Sequence, residues 1–183
     1  MRNTLKNVDP TKLAGAKTLQ DSMNLAVSYK LKQSISEEGE DIDVSIDKTV
    51  VMINISDELL FNTASYNVSS KANNILKKLS EVIKSEPSME VMVEGHTDSR
   101  SINPPMVIDN WDLNVKRATT IVRKLQKEYG VDPSQLIASG RSSSLPLVEN
   151  DSKENMAMNR RTKIIILPNL DKFFALLDAE DNL

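Results

Sequence analysis

The stretch MEVMVEGHTDSRSINPPMVIDNWDLNVKRATTIVRKLQKEYG, residues 89–130, decides the fold. It opens with a short apolar run, Met89 to Gly95, that suits a central strand. A polar loop follows from His96 to Asp109, with Pro104 and Pro105 inside it. Asp109 is a good N-cap, and Asp112 puts negative charge in the first helical turn, where the peptide dipoles favour it. Trp111, Val115, Ala118, Val122, Leu125 and Tyr129 then recur every three or four residues, which predicts a long amphipathic helix. Gly130 closes that helix as its C′ residue. On this pattern Trp111 reads as core rather than as a platform for stacking a sugar.

Upstream, IDVSIDKTVVMINI alternates well enough for two strands joined at Asp47-Lys48, one over 43–46 and one over 50–55. DELLFNTASYNV leads into a second helix with the apolar face Ala72, Ile75, Leu76, Leu79, Val82 and Ile83. Ser69 or Ser70 is its N-cap, and Pro87 prevents its continuation. Further upstream, Leu13, Ala16, Leu19, Met23, Ala26 and Lys30 predict a helix over 11–35, and Glu37 to Asp41 a solvated acidic loop.

Downstream, LIASGR is a small strand ending at Gly140, and the segment from Ser142 to Asn159 reads as loop with room for one helical turn. Thr162 to Pro168 is another strand. Asn169 caps a last helix with Leu170, Phe173, Phe174 and Leu177 at i, i+3, i+4 and i+7. The order is β-β-α-β-α-β-β-α. It implies an α+β fold, a two-layer sandwich with a mixed β-sheet and its main helices on one face. Residues 1–41 form an N-terminal helical segment or linker, and 42–183 the domain.

Composition narrows the chemistry. The 183 residues carry a net charge of -3, against a nucleic-acid partner, which favours a basic excess. There is no cysteine, so disulfides, thiolate metal sites and a Cys nucleophile are excluded. The single histidine, His96, rules out a multi-His zinc site. With 5 glycines there is little room for a dinucleotide fingerprint, and no P-loop is present. No stretch approaches a membrane span, and MRNTLKNVDP lacks the apolar region of a signal peptide.

Three polar groups could carry function: Glu94 to Arg100 after the central strand, Arg117 on the flank of the long helix, and Asn159-Arg160-Arg161 before the last strand. Ligand sites of open sheets lie beyond the carboxyl ends of strands. A loop carboxylate facing an arginine of the next helix could hold a zwitterion, the carboxylate taking the ammonium and the guanidinium the carboxylate. A structural ion pair is the competing reading of the same residues. His96 alone reads as a loop-ordering side chain, and the methionines as gap-fillers.

VEGHTDSRS, DNWDLNVKRA, LIASGRSSSLPLVEN and NRRTKIIIL, in this order, resemble the OmpA-like C-terminal domain family over roughly Val50 to Leu167. The Asn-Trp pair and the long loop before it are most similar to the flagellar-motor B-subunit branch, and Asn114 stands where the family often has Ser. The resemblance implies a β/α/β/α/β-β fold and non-covalent binding of peptidoglycan. It implies that Asp98 and Arg117 grip diaminopimelate, Asp98 by its ammonium and Arg117 by its carboxylate. Thr97 and Asn110 match positions that line the pocket. From the NRR motif Arg161 carries over first and Arg160 second. Leu60-Phe61 matches a strand-end motif in which Phe61 belongs to the core.

The resemblance further implies a periplasmic anchor without enzymatic activity, cofactor or metal. It would be attached to the inner or outer membrane by a segment upstream, with a homodimer as one arrangement. The alternatives are a structural or dimerisation module of a stator-like membrane complex, resting on the N-terminal helix, and a cell-wall hydrolase using His96 with Asp98 or Asp112.

Overall fold

The computed structural model describes residues 42–47, 50–62, 65–87, 89–102 and 107–168, together with Tyr29. The helices expected over 11–35 and from Asn169 onward lie outside the described residues, Tyr29 excepted, which is helical.

The strands are β1 (Ile42–Asp47), β2 (Val50–Ser56), β3 (Met89–His96), β4 (Leu136–Gly140) and β5 (Arg161–Pro168). The helices are α1 (Asp57–Leu60), α2 (Ala72–Ser85), α3 (Asn110–Lys127) and α4 (Lys153–Asn159), with a 3-10 turn at Pro133–Gln135. The sheet runs β1-β2-β5-β3-β4. All pairs are antiparallel except β3 with β4. The expected α+β mixed sheet is therefore present. β4 and β5 follow each other among the strands but do not pair. β5 enters between β2 and β3, so the last strand lies next to the central one.

Alternation along the strands builds the core. Val44, Ile53, Ile164 and Val93 stand side by side across four strands, and all are buried. They meet Ile75, Leu76, Leu79 and Ile83 of α2 and Ala118, Ile121 and Leu125 of α3 in one cluster. Each of the Val, Leu and Ile side chains contributes roughly 1.5–3 kcal/mol by leaving water. The N-cap position of α2 falls on Lys71 without a side-chain cap, not on Ser69 or Ser70; Ser69 lies just upstream, where its Oγ accepts the Ala72 N–H at 3.3 Å and donates to Leu59 O. Asp109 accepts the Asp112 N–H at 2.9 Å, as expected. Gly130 has φ of 68°, the left-handed conformation that lets Val131 N–H reach back to Leu125 O.

Three further expectations are corrected. Trp111 is 51% exposed and Val115 44%, so neither is core. The start of α3 instead buries Leu113, Asn114 and Arg117, because the helix approaches β3 and β4 closely there. DELL, expected to be connecting chain, forms the single turn α1. The supposed loop before Asn159 contains α4, whose N-cap Ser152 accepts the Asn155 N–H at 3.1 Å. Only Asn159 of α4 is buried, so it carries no apolar stripe for periodicity to detect.

Candidate functional site

The carboxyl end of β3, the start of β5, the first turns of α3 and the turn α1 meet at one end of the sheet. Two rows toward this end from Val93 and Ile164, the inward positions become Gly95 and Thr162, with Gly140 beside Gly95 on β4. The glycines let α3 come down onto the sheet. A Cβ on Gly95 would lie 2.9 Å from the Asn114 carbonyl oxygen, and one on Gly140 would lie 3.0 Å from Asn114 Cβ. Asn114 is fully buried in the wedge.

Asp98 is 3% exposed and is held from two sides. Arg100 donates its backbone N–H at 2.9 Å and its Nη2 at 2.6 Å, and Arg160 donates Nη1 at 2.9 Å. Burial pushes the Asp98 carboxyl up, but these two guanidinium groups outweigh it and hold the carboxyl below its usual range. The Arg100 side chain is exposed, and Asn110 Nδ2 donates to its carbonyl oxygen at 2.9 Å, tying the loop to α3.

Arg117 is also buried, but its carboxylate partner is Asp57, not Asp98. Its Nε donates to Ser65 O at 3.2 Å, and the guanidinium carbon lies 4.9 Å from the centre of the Phe61 ring. Burial, opposed by Arg117 and Arg160, raises the Asp57 carboxyl to about 6. Burial lowers the pKa of Arg117 against the pull of Asp57. Asp98 and Arg117, expected to face each other as a pair, are instead two centres linked through Arg160. Its guanidinium reaches Asp98 and its carbonyl oxygen accepts the Asp57 N–H at 3.0 Å. Arg161 turns the other way and donates to the carbonyl oxygens of Asn159 and Leu145. Of the two NRR arginines, the one ranked second in the sequence reading therefore reaches Asp98.

His96 is 2% exposed and its Nε2 lies 3.0 Å from Glu94 Oε1. Arg141 Nε donates to the other Glu94 oxygen at 2.9 Å. Burial, with the Arg161 cation next in weight, lowers the imidazole to about 4. Its carboxylate is thus Glu94, not Asp98 or Asp112. Asp112 bonds Lys116 and the Ile108 N–H instead. Among the described residues no cluster of three or more His, Asp or Glu side chains could hold a metal ion.

Thr97 donates its N–H to Ser142 O at 2.9 Å, while its Oγ1 is buried without a partner. The same is true of Asn110 Oδ1, both amide atoms of Asn114, Asp57 Oδ1, His96 Nδ1, Ser56 Oγ, Arg161 Nε and Thr162 Oγ1. Among the described residues, Asn54 Oδ1 is the one further such atom. Apart from Asn54 Oδ1, these atoms sit at the end of the sheet that holds Asp98 and Arg117, which makes that end the polar part of the buried interior. Sequence reasoning missed Asp57, whose weak signal was an acidic residue just ahead of Leu60-Phe61.

The OmpA family signature matches residues 60–160. The chain belongs to the OmpA family. Motility protein B of Helicobacter pylori is 30% identical over 168 residues, covering 89% of this chain and 65% of that protein. The structure of its periplasmic domain, residues 90–256, superposes with a TM-score of 0.65 at 26% identity, covering 80% of this chain and 93% of that one. The peptidoglycan-associated lipoprotein of Buchnera aphidicola is 29% identical over 136 residues, 74% of each chain. The cell wall anchor of the T6SS from Pseudomonas aeruginosa superposes with a TM-score of 0.69 at 26% identity, covering 75% of this chain and 96% of that one. Both the OmpA-like fold and the likeness to motor B-subunits expected from the sequence are borne out. The chain spans less than two thirds of the motility proteins it matches, 65% of the Helicobacter protein and 45% of that from Bacillus subtilis.

Proposed function

We propose that this domain binds peptidoglycan non-covalently, through the diaminopimelate of the stem peptide, and ties an envelope protein or complex to the cell wall. The observation that carries this reading is the gathering, at one end of the sheet, of a buried carboxylate, a buried guanidinium and most of the unpartnered buried polar atoms. Asp98 takes the ligand ammonium. The Arg100 side chain, itself exposed, gives way to the ammonium, while the Arg100 backbone N–H keeps its bond to Asp98. Arg117 takes the carboxylate of the same amino-acid end, while Thr97, Asn110, Arg160 and Arg161 shape and charge the surroundings. Relatives named as a peptidoglycan-associated lipoprotein and a cell wall anchor support this ligand class.

In this reading the domain acts in the periplasm as an anchor, not an enzyme. The burial of His96 against Glu94 speaks against the hydrolase alternative, because the imidazole has no substrate-facing base position. Membrane attachment upstream of this domain and a homodimer are further parts of this proposal, and the relative named as a lipoprotein supports the first.

Co-sedimentation with insoluble peptidoglycan sacculi tests it. The unmodified protein is expected to pellet with sacculi, and Asp98→Ala to stay in the supernatant while keeping its circular dichroism spectrum. Equal pelleting of the two proteins would overturn the assignment of Asp98, and failure of the unmodified protein to pellet would overturn the ligand.

A further inference from the structure

Arg117 is fixed from three directions. Asp57 accepts from Nη1, the Ser65 carbonyl oxygen accepts from Nε, and the Phe61 ring lies beneath the guanidinium. Asp57 is itself anchored, because its N–H is bonded to Arg160 O at 3.0 Å. It stands 60 residues from Arg117 in sequence and belongs to none of the motifs that define the pocket. A guanidinium is a planar fork of five N–H donors, so holding Nε and one Nη1 position sets the direction of the remaining edge.

We propose that Asp57 is a positioning residue for ligand binding, holding the Arg117 guanidinium so that its remaining edge meets the stem-peptide carboxylate. This rests on the peptidoglycan reading above. A competing role, in which Asp57 occupies Arg117 and must be displaced by the ligand, predicts the opposite effect of removing its charge.

The groups around Asp57 provide a readout that a merely structural role would not move. Arg117, Arg160 and Arg161 face it as cations, Asp98 faces it as an anion, and Glu58 lies exposed beyond Arg160. Burial pushes the Glu94 carboxyl up, but Arg141 and His96 outweigh it and hold it low, and Asp98 is held low by Arg100 and Arg160. His96 is lowered to about 4. Asp57, raised to about 6, thus changes charge while Asp98 and Glu94 stay ionised and His96 stays neutral. Protonation removes its ionic hold on Arg117.

The test is sacculus co-sedimentation from about pH 5 to about pH 8 with the unmodified protein, Asp57→Asn and Arg117→Ala. Retention of the unmodified protein is expected to weaken as the pH falls through about 6. Asp57→Asn is expected to bind about tenfold more weakly at the upper pH, the effect of one charge-assisted contact, with a flat profile. Retention by Asp57→Asn equal to or above that of the unmodified protein, or an unaltered pH profile, would overturn the positioning role. A thermal melt shows whether the variant is folded. If it is not, the profile of the unmodified protein decides alone, and a flat one overturns the inference. Loss of retention in Arg117→Ala with none of these Asp57 effects leaves the peptidoglycan reading standing and removes this inference. No retention of the unmodified protein at any pH removes both.

Discussion

Two neighbouring rows of the same sheet face the same helices and do opposite things. In one, Val44, Ile53, Ile164 and Val93 are buried hydrocarbon packed under α2 and α3. In the next, Ile55, Thr162, Gly95 and Gly140 replace bulk with a hydroxyl and two missing side chains, and α3 descends into the space with Asn114. One residue further lie Ser56, Arg161 and His96, where nearly every buried group is polar. A single strand alternation serves both halves. What separates them is side-chain volume: large apolar residues fill one half, and small ones in the other let backbone and polar groups approach.

The comparison breaks most severely in the apolar row. Ile164→Ala is expected to cost ~2–5 kcal/mol of stability, read from urea unfolding, because Ile164 is fully buried at the centre of the sheet. Sacculus binding per folded molecule should be unchanged, since the row holds no ligand group. A variant that lost binding without losing stability would show that the two halves are not separable.

The polar half is probed by pH. His96 is held near 4 in the fold and has an ordinary value of 6.5, so it contributes stability that is complete above 6.5 and lost as the pH falls toward 4. Asp57 works in the opposite sense: raised from 3.8 to about 6, it contributes stability that is complete below 3.8 and lost as the pH rises through about 6. His96→Asn removes the first effect only. The stability of the unmodified protein relative to this variant should therefore increase between about pH 4.5 and about pH 7, as measured by urea melts at each pH. A difference independent of pH would mean that His96 is not held neutral by its surroundings.

The smallest effect belongs to the outer side of α3. Trp111→Ala should change stability by no more than ~0.5 kcal/mol, because the side chain is half exposed and helix propensity favours alanine. A loss of several times that size in a thermal melt would mean that Trp111 is covered by another part of the molecule.

Much of this could be read from residue order. The strand ending at Gly95, the cap at Asp109, the apolar face of α2 and the strand after Arg161 follow from periods of two and 3.6 and from cap chemistry, which are local. α4 is illegible because it is a polar helix with one buried residue, and Trp111 departs from the pattern because a large apolar side chain stays half exposed at a helix end whose buried side packs on glycines. In the site, the motifs named Asp98, Arg117 and Arg160, but neither Asp57 nor which residue pairs with which.

By itself, then, the sequence determined the strands, the two long helices, the mixed α+β architecture and the family, since each rests on local spacing or on motifs contiguous in the chain. The tertiary structure alone decided that β5 lies between β2 and β3, that Arg160 joins Asp98 to the backbone of Asp57, and that Asp57 holds Arg117. These depend on which chain segments the folded sheet brings together. Pairing between residues 60 positions apart leaves no periodic trace, because the two charges meet only once the elements that carry them have packed.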